Sequence, residues 1–112
     1  MTETLELPPI ISTYLAAHDR RDADTALTAF TEDATVIDEG RAYEGLPAIA
    51  NWLRRAASEY TYTTQLTGHR RIDADRWDAT HHLEGNFPGG VVDLTFAFTL
   101  RDGRIGRLVI AP

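Results

Sequence analysis

The spacing of apolar positions changes along the chain. In its first half, apolar residues mostly recur every three to four positions. From residue 60 onward they alternate every second position. Pro8 and Pro9 suit the first turn of a helix. Ile11, Tyr14, Leu15 and His18 then fall at i, i+3, i+4 and i+7, on one face. The polar run Asp19-Arg20-Arg21-Asp22 ends that pattern. Asp22 is placed to cap a second helix whose buried face carries Ala23, Ala26, Leu27 and Phe30. A short strand is expected over residues 35–38, after Glu32-Asp33. Gly40 and Gly45 bracket a turn or hairpin around Tyr43. Pro47 opens a third helix with Ile49, Trp52, Leu53 and Ala56 as its apolar stripe.

After Ser58 the period is two. Tyr60, Tyr62, Thr64 and Leu66 form one face of a strand, and Trp77, Ala79, His81 and Leu83 form one face of the next. Val92, Leu94, Phe96, Phe98 and Leu100 form a long third, and residues 105–110 complete the sheet. Turns fall at Asp73-Ala74-Asp75, Pro88-Gly89-Gly90 and Asp102-Gly103, the last a strong hairpin signal. Helices first and strands last predict an α+β fold. An antiparallel sheet with one apolar face needs a cover, and the three N-terminal helices supply it. Curving such a sheet around helices leaves a concave apolar cavity at its open end, where small ligands bind.

Composition narrows this further. The chain has 112 residues and 43% hydrophobic content, without linker, repeat or low-complexity segment, which predicts one domain over residues 1–112. It has no cysteine, so disulfides, thiolate metal sites and a cysteine nucleophile are excluded. The net charge is -6, and Arg54-Arg55 and Arg70-Arg71 are only short pairs, so nucleic acid is not an expected partner. The opening Met1-Thr2-Glu3-Thr4-Leu5-Glu6 lacks the basic start and apolar run of a signal peptide. No apolar stretch approaches the roughly 18 residues of a membrane span. A cytoplasmic protein with no membrane partner is the expectation.

Several side chains are candidates for chemistry. Asp38 shares strand parity with Ala34 and Val36. It is either a pocket carboxylate, whose pKa an apolar setting would raise toward that of a useful general base, or a turn aspartate facing water. Tyr14, on the apolar stripe of the first helix, offers a hydroxyl either to a substrate oxygen or to a backbone carbonyl. His18 and His81 lie on apolar faces, as core, rim or catalytic histidines. Asp93 falls opposite Phe96 and Phe98 by strict alternation, and a bulge after Gly89-Gly90 would turn it inward. Tyr43, Trp52, Phe87, Phe96 and Phe98 are expected as core or pocket wall. No HxH or HExxH spacing occurs, and His81-His82 point to opposite faces of a strand, so no metal site is expected. The dinucleotide, P-loop and GxSxG motifs are also missing.

The stretch from Tyr14 to Asp19 and the run Ala29-Phe-Thr-Glu-Asp-Ala-Thr-Val-Ile-Asp38 resemble the nuclear-transport-factor-2-like superfamily. Asp38-Glu-Gly-Arg-Ala-Tyr-Glu-Gly45, Ala48-Ile-Ala-Asn-Trp52, Phe87-Pro-Gly-Gly, Val92-Asp-Leu and Phe98-Thr-Leu-Arg-Asp-Gly-Arg-Ile are similar to its SnoaL-like branch. The resemblance implies a cone-shaped α+β barrel, three helices packed in a strongly curved mixed sheet, often as a homodimer. In ketosteroid isomerases of that superfamily, an aspartate at the Asp38 position shuttles a proton and a tyrosine at the Tyr14 position bonds the developing enolate oxygen. A protonated aspartate on a later strand assists, and Asp93 is the nearest candidate. The chemistry implied is cofactor-free isomerisation, cyclisation or dehydration next to a carbonyl of a small apolar molecule such as a steroid or polyketide, with His18 or His81 assisting. Two other readings stay open. One is a carrier that binds without chemistry. The other is a dimeric interaction protein using the face of Thr61, Thr63, Thr67, Thr95 and Thr99, with its pocket filled by Trp52 and the phenylalanines.

Overall fold

The pairing of strands is set by two tight hairpins and by a C-terminal strand that reaches back to the first. The computed structural model describes residues 7–59 and 61–112. The elements run α1 (Pro9–Asp19), α2 (Ala23–Leu27), β1 (Phe30–Asp38), β2 (Arg41–Glu44), α3 (Leu46–Glu59), β3 (Tyr62–Arg71), β4 (Arg76–Gly85), β5 (Val91–Arg101) and β6 (Arg104–Ala111). Tyr60 and the side chain of Ala56 lie outside the described residues.

The local signals act as the sequence requires. Pro9 sits in the first turn of α1, where its missing N–H leaves no bond unmade. Asp22 caps α2, its Oδ1 accepting from the Thr25 backbone N–H at 3.2 Å. That helix stops at Leu27, so Phe30 is not on its buried face but is the first residue of β1. The cause is long-range. β6 runs parallel to β1 and pairs Ile105 with Phe30, and the Ile105 N–H donates to Ala29 O at 2.8 Å. The same pairing lengthens the strand expected over residues 35–38 to nine residues. A register shift between Phe30 and Thr35 leaves Glu32 and Asp33 in solvent.

The six strands are ordered β2-β1-β6-β5-β4-β3. β3 to β6 form an antiparallel meander, β1 joins β6 in parallel, and β2 pairs antiparallel with β1. β2 and β3 remain as edges, so the curved sheet is open and does not close into a barrel. All three helices lie on one face of it. Ile11, Tyr14 and Ala17 of α1, Ala26 of α2, and Ile49, Trp52 and Leu53 of α3 pack with Trp77, Phe98, Ile105 and Leu108 from the sheet. Each large side chain so buried contributes about 1.5–3 kcal/mol. No described helix is long and apolar enough to cross a membrane.

Candidate functional site

The hairpin that follows β1 fixes where Asp38 points. Glu39 (φ 53°) and Gly40 (φ 76°) both take left-handed backbone, as a two-residue type I′ turn demands, and Gly40 does so without a Cβ penalty. The turn pairs Asp38 with Arg41 and leaves Asp38 on the inward parity of the buried Ala34 and Val36. From α3, the Trp52 indole N–H donates to Asp38 Oδ2 at 3.0 Å. Such a bond to a carboxylate is charge-assisted and fixes its orientation.

Asp38 and Trp52 line a cavity of about 650 Å³ at the open end of the cone. His18, in the last turn of α1, and Tyr62, the first residue of β3, line it too. The apolar wall comes from Leu83, Phe87, Leu94, Phe96 and Ile110, with Glu39 and Gly40 beside Asp38. The imidazole of His18 lies parallel to the Trp52 indole, centroids 6.4 Å apart. Its Nε2 is 3.2 Å from Tyr62 Oη. Tyr62 is held from behind, where the Arg21 guanidinium stands 5.2 Å from its ring centroid and donates to its backbone carbonyl at 3.4 Å. Gly85 permits this placement, because a Cβ there would stand 2.4 Å from Tyr62 Cβ and 2.5 Å from Thr61 O.

Protonation in this corner follows from burial. Enclosure lowers the His18 pKa from 6.5 to about 4, with smaller contributions from His81 and Arg21. Burial raises that of Tyr62, while Arg21 opposes the rise. At neutral pH the pair is a neutral imidazole and an intact phenol. The native state takes up the His18 proton near pH 4 and the unfolded chain near 6.5, so the unfolded state binds more protons between those values. Stability therefore falls as pH drops from 6.5 to 4, by roughly 3 kcal/mol from this group. Urea unfolding across that window should show the loss, and His18→Gln should flatten it.

The structure divides the other candidates. Tyr14 does not line the cavity. It is fully buried beneath His18 (5.7 Å, stacked), with the edges of Phe30 and Phe98 at 5.4 and 5.8 Å, and its hydroxyl has no hydrogen-bond partner among the described residues. Burial, then Tyr62 and Asp38, push its pKa well above the usual tyrosine value. An unpaired buried hydroxyl costs about 1–3 kcal/mol. Tyr14→Phe is thus expected to hold or raise the melting temperature and to leave turnover within about threefold. A large loss of turnover would restore the hydroxyl to the site.

His81 faces inward but sits behind Phe96, ring centroids 4.7 Å apart, and burial lowers its pKa. Asp93 is on the outer face. The β4–β5 register is unbroken from Glu84↔Val91 to Arg76↔Thr99, so no bulge turns it inward. It meets His82 Nδ1 at 2.7 Å, and Glu84 holds the other ring nitrogen at 3.0 Å. Those two carboxylates raise the His82 pKa. Of the expected wall residues, Trp52, Phe87 and Phe96 line the cavity. Tyr43 instead backs Trp52 at 6.1 Å and accepts a bond from Arg55, while Phe98 is core at 1% exposure. Tyr62 was not singled out by sequence. Its inward parity, opposite Gly85 in the register, was the available signal. Among the described residues no group of three or more acidic or histidine side chains could hold a metal ion.

The SnoaL-like domain family matches residues 2–101. A proposed polyketide cyclase from Sinorhizobium meliloti is 34% identical, with a TM-score of 0.88 over 98% of this chain and 100% of that one. A proposed polyketide cyclase from Xanthomonas campestris pv. campestris is 26% identical, with a TM-score of 0.74 over 90% and 85%. A protein of ketosteroid-isomerase-like fold from Catenulispora acidiphila, solved with trimethylamine, is 19% identical, with a TM-score of 0.83 over 96% and 87%. No curated protein matches the chain. On the family match and the 34% identical relative, this chain belongs to the SnoaL-like domain family.

Proposed function

We propose that the protein is an acid–base enzyme that moves a proton at a carbon next to a carbonyl, within a small and mostly apolar molecule. The observation that carries this reading is the Asp38 carboxylate, fixed by Trp52 in the wall of an apolar cavity that also holds the Tyr62–His18 pair. Asp38 takes the α-proton, and the electron pair of the C–H bond moves onto the carbonyl oxygen as an enolate. The Tyr62 O–H, kept protonated by its raised pKa, donates a hydrogen bond to that oxygen, and His18 orients the phenol.

Three outcomes are open to the enolate. Return of the proton at a conjugated carbon gives an isomer. Expulsion of a β-hydroxyl gives a dehydrated product, and attack on a second carbonyl closes a ring. The ring-closing outcome fits the two relatives named as polyketide cyclases. The cavity is open, whereas an interaction protein should fill it with Trp52 and the phenylalanines. The test is uptake of solvent deuterium at the α-carbon of a β,γ-unsaturated cyclic ketone, followed by proton NMR. Exchange well above the buffer rate supports the reading. A ketone that binds without exchange marks a carrier instead.

A further inference from the structure

Charge is distributed unevenly between the cavity and the surface. All eleven basic residues are arginines, and every one is exposed. None lines the cavity. Residues 1–6 and 56–60, whose side chains the structure does not describe, contain no Lys, Arg or His. Arg41, the register partner of Asp38, is exposed and outside the lining, and Arg21 lies against the ring and backbone of Tyr62 without lining it. The ionisable acids in the lining are Asp38 and Glu39, side by side at one end. His18 adds no positive charge at neutral pH.

The remaining wall combines the rings of His18, Trp52, Tyr62, Phe87 and Phe96 with aliphatic side chains such as Leu83, Leu94 and Ile110. Tyr62 and Phe87 meet at 76° with centroids 6.4 Å apart, and His18 meets Phe96 at 67° and 6.2 Å. Trp52 lies parallel to His18, and all five rings border the cavity. Aromatic faces attract a cation, most strongly where water is excluded. A substrate anion would meet two carboxylates and, among the described residues, no arginine in the wall. At about 6 Å and an effective dielectric near 20, one such repulsion weakens binding on the order of a hundredfold.

We propose that this cavity selects substrates that carry an organic ammonium group on the carbonyl-bearing skeleton, and rejects carboxylates and phosphates. The inference rests on the preceding reading only in taking this cavity as the substrate site. A fixed positive charge on the substrate would also acidify the C–H bond that Asp38 attacks and stabilise the enolate formed.

Three soluble probes of one shape test the claim on the intact chain: choline, its uncharged carbon isostere 3,3-dimethylbutan-1-ol, and 3,3-dimethylbutanoate. Binding is read from the indole N–H resonance of Trp52. Choline should bind at least about tenfold tighter than the isostere at low salt, with the carboxylate weakest. The preference should shrink in Glu39→Gln, an exposed site that tolerates the change, and further in Asp38→Asn. Equal or tighter binding of the isostere overturns the proposal, as does failure of choline to shift Trp52. The deuterium-exchange assay on an uncharged ketone is independent of this preference. Exchange without cation preference removes only the charge inference. Cation preference without exchange removes only the acid–base one.

Discussion

Asp38→Asn is expected to lower the rate of α-proton exchange by about 10²–10⁴-fold while an uncharged ligand binds within about threefold of wild type. The amide has nearly the shape of the carboxylate, and its oxygen still accepts the Trp52 N–H that holds the side chain at 3.0 Å. What it loses is the ability to take a proton near neutral pH. A binding defect of equal size would mean that Asp38 serves contact rather than chemistry. An unchanged rate would sink it as the base. Trp52→Phe separates orientation from basicity, because it removes the N–H and keeps an aromatic wall. It should cost less than loss of the carboxylate, roughly tenfold to a hundredfold, and appear in kcat more than in KM. A rise in KM alone would point to packing of the ring against substrate.

Sequence and resemblance together singled out Asp38, which lines the cavity, but not Tyr62, which lines it too. Parity with Ala34 and Val36 left Asp38 as either a pocket carboxylate or a turn aspartate facing water, and the resemblance favoured the pocket. Tyr14 lies outside the cavity lining for a physical reason. Helical spacing shows that Tyr14 lies on the buried face of α1 but not how deep it goes. His18, one turn later, stacks over it and takes the cavity wall. The phenol that lines the cavity is that of Tyr62, at the start of β3. Its register partner Gly85 acts as a close-approach residue in the fold. Asp93 hung on whether β5 carries a bulge, which is a property of strand pairing that one strand's residues do not encode.

The same limit separates the two halves of the sheet. The meander from β3 to β6 was legible because its alternation is local and its last hairpin is marked by Asp102-Gly103. The parallel pairing of β1 with β6 joins residues some seventy positions apart, such as Val36 and Leu108. Nothing near Phe30 announces that partner, so Phe30 read as the end of a helical stripe.

Phe98→Ala should be the most damaging single truncation in the core, costing about 3–5 kcal/mol. That is a large part of the 5–15 kcal/mol expected for a domain of this size, and it corresponds to a fall of roughly 12–20 °C in melting temperature. Phe98 is 1% exposed, lies between Trp77 and Leu108 in the register, and meets the Tyr14 ring at 5.8 Å. Sheet and helix both close on it, so the void left by Ala has no flexible side to collapse from. Phe96, two residues earlier on the same face, is the control. It already borders the cavity, so Phe96→Ala enlarges a space that solvent can fill, and should cost about half as much while changing ligand affinity. Thermal unfolding of both variants, with and without ligand, checks the pair. If Phe96→Ala proved the more destabilising and left binding intact, the boundary between core and cavity would lie one strand pair further out than the structure puts it, and Trp52 and Asp38 would face packed protein instead of substrate.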